Sequence, residues 1–162
     1  MSPNPPLPSS YITKIHGFFE NVGISANLPA KSTQKDAYSD LIRTYLKVSH
    51  IEPGRITCIL TVKSPITNVY GSLHGGALAA VAELVAIACV KSVVDNKDLF
   101  LGELATSYFS AALKNAEVEV KGFLVRQGRN LTVAAVEFRS KDTNKLIYTA
   151  RATFYNLPLA SL

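Results

Sequence analysis

The sequence predicts an α+β domain in which a mainly antiparallel sheet surrounds one long buried helix. Residues 77–90 contain thirteen apolar residues and one glutamate, and their Ala-rich composition favours helix. A helix that is apolar nearly all round must be buried. Four segments with strand character follow it, separated by turn-forming residues. Since one sheet face cannot cover such a helix completely, we expect a second subunit to complete its burial.

Composition limits the class of protein. A chain of 162 residues fits one domain, and 48% hydrophobic against 18% charged residues excludes a disordered chain. The net charge of +5 permits binding to polyanions, but no interleaving of aromatic and basic residues supports a nucleic-acid partner. Cys58 and Cys89 lie in apolar runs without the spacing of a zinc site or a disulfide framework. We interpret both as reduced core residues and expect no metal.

The segment before the central helix predicts one helix, one loop and two strands. Residues 11–22 carry apolar side chains at helical spacing. The polar stretch 29–40 is expected to be a loop. Residues 41–49 and 55–64 are predicted to be strands, because a Pro-Gly pair between them supplies the turn of a hairpin.

The central helix is predicted over residues 75–94. The strands after it are predicted at 104–112, 117–126, 131–139 and 146–157. We expect the domain itself to span residues 41–157, preceded by a tail, short helix and loop over 1–40 and followed by a tail over 158–162.

The chemistry-bearing segment leads into the central helix. Gly75 and Gly76 at the helix start leave backbone N–H groups unobstructed, and first-turn N–H groups lack intrahelical partners. They form a ready oxyanion or anion site, although two glycines could equally serve a tight turn. Glu83 follows in the apolar helix, where a carboxylate is costly unless it is hydrogen-bonded or protonated. A catalytic acid is therefore favoured over a structural carboxylate.

The spacing of these groups predicts the assembly. Glu83 lies eight residues after Gly75, which is roughly 12 Å along a helix axis. One small reacting group could not touch both. If two such helices pack antiparallel about a two-fold axis, Gly75 of one chain faces Glu83 of the other. We therefore expect an obligate dimer with sites at its interface.

The pattern Asn68-x5-His74-Gly75-Gly76-x6-Glu83 resembles the signature of the hotdog-fold acyl-CoA thioesterases. These include the 4-hydroxybenzoyl-CoA, phenylacetyl-CoA and 1,4-dihydroxy-2-naphthoyl-CoA types and the eukaryotic acyl-coenzyme A thioesterases. The similarity runs from about residue 41 to residue 157. It implies a hotdog fold, an antiparallel sheet wrapped around one long central helix, and hydrolysis of an acyl-CoA to a carboxylate and coenzyme A.

The resemblance also implies roles for four residues. The Gly75 N–H would hold the developing oxyanion, Asn68 would be a second polar contact, and His74 would brace the turn by hydrogen bonding. Glu83 from the partner chain would act as general base for water, or as a nucleophile that gives a mixed anhydride. Neither a metal nor a cofactor is implied, because coenzyme A is part of the substrate.

Charge and resemblance together predict the substrate contacts. Residues 114–162 hold eight Lys or Arg against four Asp or Glu, which suits the phosphates of coenzyme A. Charge alone would fit a solvated hairpin equally well. The resemblance assigns contacts to one strand, one basic turn and a later tyrosine: Tyr108, Phe109, Ser110, Ala111, Ala112, Leu113, Arg126, Gln127, Gly128, Arg129, Asn130, Leu131 and Tyr155.

Two positions depart from the family pattern. Relatives with Glu at the catalytic position usually carry Ser or Thr one turn later, where this chain has Ile87. Relatives with Asp often use a Ser of the following strand, where the nearest equivalent is Leu101. The water-orienting hydroxyl is therefore missing or comes from elsewhere, for example Thr106. A non-catalytic acyl-CoA binder stays an alternative, as does a hotdog dehydratase, whose His-Phe-Pro loop is absent.

Targeting signals give an expectation by elimination. The N-terminal segment lacks the basic and then apolar order of a secretory signal. A mitochondrial presequence would be rich in arginine, whereas the first arginine of this chain is Arg43. The C-terminal Ala-Ser-Leu lacks the basic middle residue of a peroxisomal signal. We expect a cytoplasmic homodimer or homotetramer without a membrane span, with an acyl-CoA as its partner.

Overall fold

A computed structural model describes residues 9–21, 27, 29–94 and 97–158. The chain forms two units, residues 1–37 and residues 38–162. The first unit contains helix α1, Ser9–Asn21, and a short 3-10 helix, Ala30–Thr33. The helix predicted over 11–22 is thus present and begins two residues earlier, while residue 22 lies outside the described residues.

The second unit carries the predicted order of two strands, a long helix and four strands. Helix α2 (Ala37–Tyr45) begins at the boundary between the two units. The elements that follow it are β1 (Leu46–Glu52), β2 (Arg55–Thr61), a 3-10 turn (Ser64–Ile66), α3 (Gly75–Lys91), β3 (Lys97–Tyr108), β4 (Glu117–Gln127), β5 (Leu131–Ser140) and β6 (Leu146–Pro158).

The six strands form an antiparallel sheet in the order β1-β2-β4-β5-β6-β3. Helix α3 lies against one face of this sheet. Its sheet-facing side chains, among them Leu78, Val81 and Val85, are buried, as are Phe138 and Phe154 beneath them. This burial supplies the main stabilisation, about 1.5–3 kcal/mol for each large apolar side chain. The predicted α+β class is confirmed, because one long helix packs against an antiparallel sheet.

Two strand boundaries were predicted wrongly. Residues 37–45 are helical, so the strand predicted from 41 begins only at Leu46, and the loop predicted over 29–40 ends in a helix. Apolar residues at 41, 42 and 45 share one helical face, and Ile42 is buried. Strand β3 occupies 97–108 rather than 104–112. It ends there because the next two amides both donate to the carbonyl of Ile147.

The burial of α3 is one-sided within a single chain. The side chains that face away from the sheet stay partly accessible, and Leu84 is 38% exposed. Cys58 and Cys89 are buried and free, as expected of reduced core residues. In the described ranges no group of three or more His, Cys, Asp or Glu could hold a metal ion. No helix among them is long and apolar enough to cross a membrane.

Close contact between α3 and β4 depends on a glycine. A Cβ added to Gly122 would lie 2.7 Å from Cγ1 of Val85 and 3.3 Å from its carbonyl oxygen. Val85 is 1% exposed and has no room to move. We expect Gly122→Ala to lower the free energy of unfolding by about 1–3 kcal/mol, the usual cost of overpacking a core, measured by denaturant unfolding.

The matched control for this prediction is Gly17→Ala in α1, where an added Cβ meets nothing within 4 Å. That substitution should leave stability equal or slightly higher, because alanine favours helix. A Gly122→Ala protein as stable as the unchanged chain would contradict the described helix–sheet distance.

Candidate active site

The start of α3 leaves the backbone N–H of Gly75 without a partner. His74 precedes the helix, and its Nδ1 accepts a hydrogen bond from the N–H of Gly76 at 2.9 Å. The backbone N–H of His74 donates to the carbonyl of Ile66 at 2.9 Å, which fixes the approach to the helix. The N–H of Gly75 has no acceptor in the described part of the chain. It is free to donate to a ligand, and the helix dipole favours negative charge there.

Asn68 shapes the turn that leads to this helix. Its Oδ1 accepts from the N–H of Tyr70 at 3.0 Å and from that of Ser72 at 3.2 Å. Its Nδ2 donates to Oγ of Ser72 at 3.0 Å. Gly71 completes the turn with a φ of 73°, which favours glycine. The side chain of Asn68 therefore acts largely within its own turn.

A cavity of about 380 Å³ opens beside Gly75. Tyr108, at the end of β3, is its neighbour there: a Cβ added to Gly75 would lie 3.2 Å from the Tyr108 hydroxyl oxygen. Glycine at this position therefore leaves room between helix and strand. The cavity brings together six residues that the sequence predicted for the site, namely Asn68, Gly75, Tyr108, Phe109, Ser110 and Ala111.

Within the segment 108–113, two of the predicted substrate contacts lie outside this cavity. Ala112 is 2% exposed, its N–H donates to the hydroxyl of Tyr148, and its carbonyl accepts from the N–H of Leu73. Its side chain is enclosed within one chain, where Ala112 anchors the segment, and its contact with a substrate stays a prediction. Leu113 is exposed and forms a bridge to Ser72 instead of lining the cavity.

Tyr148 was missed by the sequence analysis. It lies on β6 at the base of the cavity and is 3% exposed. Burial raises the pKa of its phenol, and the hydrogen bond from Ala112 opposes that rise. Its ring packs edge-on against Tyr108, with ring centroids 5.7 Å apart. The signal was available, because alternation along β6 places Tyr148 on the core-facing side of the strand.

Glu83 lies on the side of α3 that faces away from the sheet. It is half-buried and lines a different cavity, together with Tyr38 and Arg43 of α2. It has no hydrogen bond or ion pair within the described ranges. Ile87 lines the same cavity one turn later, so no hydroxyl stands at that position. Within one chain, Gly75 and Glu83 therefore serve separate cavities.

Neither Leu101 nor Thr106 lines the cavity of Glu83. Leu101 is a half-buried residue on β3, just before a register shift. Thr106 uses its hydroxyl to donate to the hydroxyl oxygen of Tyr108 at 3.3 Å. The structure thus links Thr106 to the Gly75 cavity.

The basic turn stands apart from the Gly75 cavity. Arg126 follows a register shift between β4 and β5 and lines a surface cavity with Glu103 and Arg151. Gln127 donates to the carbonyl of Val93 at 3.4 Å. Arg129 and Asn130 are exposed at the tip, and the N–H of Gly128 closes the turn on the carbonyl of Leu131. Tyr155 pairs with Leu131 in register, so turn and tyrosine are neighbours.

Asn156 holds this turn in place and was not recognised in the sequence. Its Nδ2 donates to the carbonyls of Gly128 at 3.0 Å and Arg129 at 3.4 Å. Its Oδ1 accepts from the fully buried hydroxyl of Thr132 at 3.0 Å. Such a contact joins residues 24 or more positions apart, so no local sequence pattern reveals it.

Comparison with solved structures identifies the class of fold. Zebrafish thioesterase superfamily member 2 matches with a TM-score of 0.71 at 24% identity, over 78% of this chain and 90% of that one. A hypothetical thioesterase from Streptococcus pneumoniae, solved with coenzyme A, matches with a TM-score of 0.67 at 22% identity, over 76% and 96%. The sheet and its long helix therefore form a hotdog fold.

Sequence comparison finds relatives and a family with which this chain shares similarity. Human acyl-coenzyme A thioesterase 13 is 27% identical over 104 residues, which cover 62% of this chain and 72% of that protein. Residues 70–147 match the family model of the thioesterase superfamily, a range that includes Gly75, Glu83 and Tyr108. Over these residues the chain is similar to the thioesterase superfamily.

Removal of the Asn156 side chain should loosen the basic turn. Asn156→Ala leaves the Thr132 hydroxyl and two carbonyls without their partner, a loss of about 1–3 kcal/mol for buried groups. We expect faster amide hydrogen exchange over residues 128–131, measured by mass spectrometry. Asn130→Ala is the control, because the backbone carbonyl of Asn130 accepts from Asn156 and survives the change. Equal exchange in both variants would contradict the assigned role.

Proposed function

We propose that the protein hydrolyses acyl-CoA thioesters to a free carboxylate and coenzyme A. The observation that carries the proposal is the unpartnered N–H of Gly75, which faces a cavity at the start of a long helix. A donor fixed at this place can stabilise the negative charge that develops on a thioester oxygen. The name of the human relative and the coenzyme A in the pneumococcal structure support this substrate class.

In the proposed reaction, the substrate carbonyl oxygen accepts a hydrogen bond from Gly75. Water attacks the carbonyl carbon while Glu83 of the partner subunit takes its proton. The C–S bond then breaks, the carboxylic acid forms, and the proton passes to the thiolate of coenzyme A. If the carboxylate attacks first, a mixed anhydride forms and water hydrolyses it to the same products.

A dimer follows from the separation of the two groups. Gly75 and Glu83 line different cavities of one chain, so a composite site needs a second copy. Two further features support a partner: β3 is an edge strand with open backbone groups, and the outer side of α3 is partly exposed. A homotetramer built from two such dimers is proposed from the family resemblance alone.

Coenzyme A is proposed to bind along the basic turn. Arg126 and Tyr155 are exposed on this side of the sheet, and Asn156 fixes the carbonyls of the turn. Guanidinium groups suit phosphate oxygens because they donate in pairs. The absence of any further cofactor and the cytoplasmic location remain predictions from the sequence.

A second candidate is a protein that binds acyl-CoA without turning it over. It is favoured by Ile87, which offers Glu83 no hydroxyl one turn further along α3, so that the hydroxyls of this cavity come from Tyr38 and Ser39 of α2 instead. Thiol release from a panel of aromatic and aliphatic acyl-CoAs separates the two functions. The assay should report coenzyme A alone, because burial raises the pKa of Cys89 to about 11 and also raises that of Cys58, which keeps both protein thiols unreactive. Binding without thiol release would contradict hydrolysis.

Glu83→Gln should abolish most hydrolysis while acyl-CoA affinity stays nearly unchanged. Glutamine keeps the size of the side chain but cannot take a proton, and loss of a general base costs about a hundredfold or more in kcat. The measurement combines steady-state kinetics with binding. Asp142→Asn, an exposed acid in the β5–β6 hairpin, is the matched control. A Glu83→Gln protein with unchanged kcat would remove Glu83 from the mechanism.

Mixed dimers test the shared site. Gly75→Pro removes the N–H, and proline fits the first helical position after the extended His74. A dimer of Gly75→Pro and Glu83→Gln chains keeps one complete site. Mixing two inactive variants should thus restore about a quarter of the activity, since half of the dimers are mixed and each has one of two sites.

The control for mixing is a chain that carries both substitutions, combined with the Glu83→Gln chain. No complete site can form there, so activity should stay at background. If verified mixed dimers of the single variants also stay at background, Gly75 and Glu83 do not share a site across the interface.

A further inference from the structure

We propose that the hydroxyl group of Tyr108 is the second hydrogen-bond donor to the thioester oxygen, beside the N–H of Gly75. The inference rests on the proposed hydrolysis and adds a catalytic residue to it. It assigns to Tyr108 a function beyond simple contact with the substrate.

The position of the hydroxyl is the first support. Its oxygen would lie 3.2 Å from a Cβ built on Gly75, and both residues line the same cavity. No side chain of the helix separates them, because residue 75 is a glycine. An oxygen atom bound at the Gly75 N–H is therefore within reach of the phenol.

The hydroxyl also has its proton available. A phenol carries one proton and accepts through its oxygen. The hydroxyl of Thr106 donates to the oxygen of Tyr108 at 3.3 Å, so this bond leaves the Tyr108 proton unused. The proton has no acceptor among the described residues. A ligand in the cavity can therefore receive it.

The amide of Asn68, another side chain of the cavity with donor groups, makes its hydrogen bonds within its own turn. Its oxygen accepts from Tyr70 and from Ser72, and an oxygen cannot donate to an oxyanion. One of the two N–H groups of its nitrogen donates to the hydroxyl of Ser72, which holds the amide in the turn. Rotation of Asn68 toward a substrate would break several hydrogen bonds of the turn. The hydroxyl of Tyr108 can donate to a substrate without breaking a hydrogen bond.

The ring of Tyr108 is held in position before any substrate arrives. It packs edge-on against Tyr148, which is 3% exposed and whose hydroxyl is bonded to the N–H of Ala112. A donor fixed in advance stabilises developing charge without reorganisation during the reaction. Tyr108 donates a hydrogen bond and keeps its proton throughout, so the bonds made and broken remain those of hydrolysis.

Tyr108→Phe tests the inference. The acyl-CoA that the unchanged dimer hydrolyses fastest, drawn from a panel that includes phenylacetyl-CoA and a medium-chain saturated acyl-CoA, is the probe. We expect kcat to fall about a hundredfold, as for the loss of one oxyanion donor, with KM within about threefold. Tyr70→Phe is the matched control, since that side chain is 86% exposed and does not line the cavity; its kcat should not change.

Thr106→Val provides a second, independent variant. It keeps the shape of the side chain but removes the hydrogen bond to Tyr108, so kcat should fall by less than in Tyr108→Phe. The double variant should be no slower than Tyr108→Phe alone, because the two groups act through one hydroxyl. This comparison stays informative if Tyr108→Phe loses stability, which a melting temperature would show.

Three results would overturn the inference. One is a Tyr108→Phe enzyme with unchanged kcat, another is a loss confined to KM, and the third is additive loss in the double variant. Each of these leaves hydrolysis by the unchanged protein intact. A folded, unchanged dimer without any hydrolysis overturns the proposed function and this inference together, so the two failures are distinguishable.

Discussion

The arrangement of the rest of the molecule depends on the rigidity of helix α3. Helix α3 carries Gly75 at its first position and Glu83 two turns further on, and no side-chain rotation can bring an acid back to the start of its own helix. The sheet fixes the position of this helix. Val81 and Val85 of the helix are buried, and Gly122 of β4 allows Val85 to pack closely against the strand. The same packing of α3 against the sheet therefore stabilises the core and fixes the positions of Gly75 and Glu83.

The division of hydrogen bonds at the helix start matters equally. The side chain of His74 accepts a hydrogen bond from the N–H of Gly76, whereas the N–H of Gly75 has no acceptor in the described part of the chain. A donor that holds the helix start and a donor that can bind a ligand therefore belong to adjacent residues. The turn at Asn68 and the bond from Ala112 to Tyr148 stiffen the surrounding walls. In the proposed function this stiffness is an advantage, because a donor that is already in place loses little free energy when charge appears on the substrate.

The sequence predicted what periodicity and local chemistry encode. The order of the strands along the chain and the burial of α3 followed from local sequence patterns, whereas the placement of Tyr108 in the site was implied by the family resemblance. Helix α2 was missed because its apolar residues also fit a strand over so short a stretch. Alternation along β6 indicated that Tyr148 faces the core, but its bond to Ala112, like the bonds of Asn156, joins residues far apart along the chain, and no local pattern reveals such bonds. The enclosure of Ala112 could not be foreseen, because a family motif does not reveal which of its side chains the fold encloses.

The separate cavities of Gly75 and Glu83 also bear on how such an enzyme would respond to its own abundance. If each reaction needs groups from two chains, dissociation removes both reaction centres at once, and specific activity falls on dilution along the monomer–dimer equilibrium. Surface changes that weaken the contact between copies would then silence catalysis without altering any residue around the substrate.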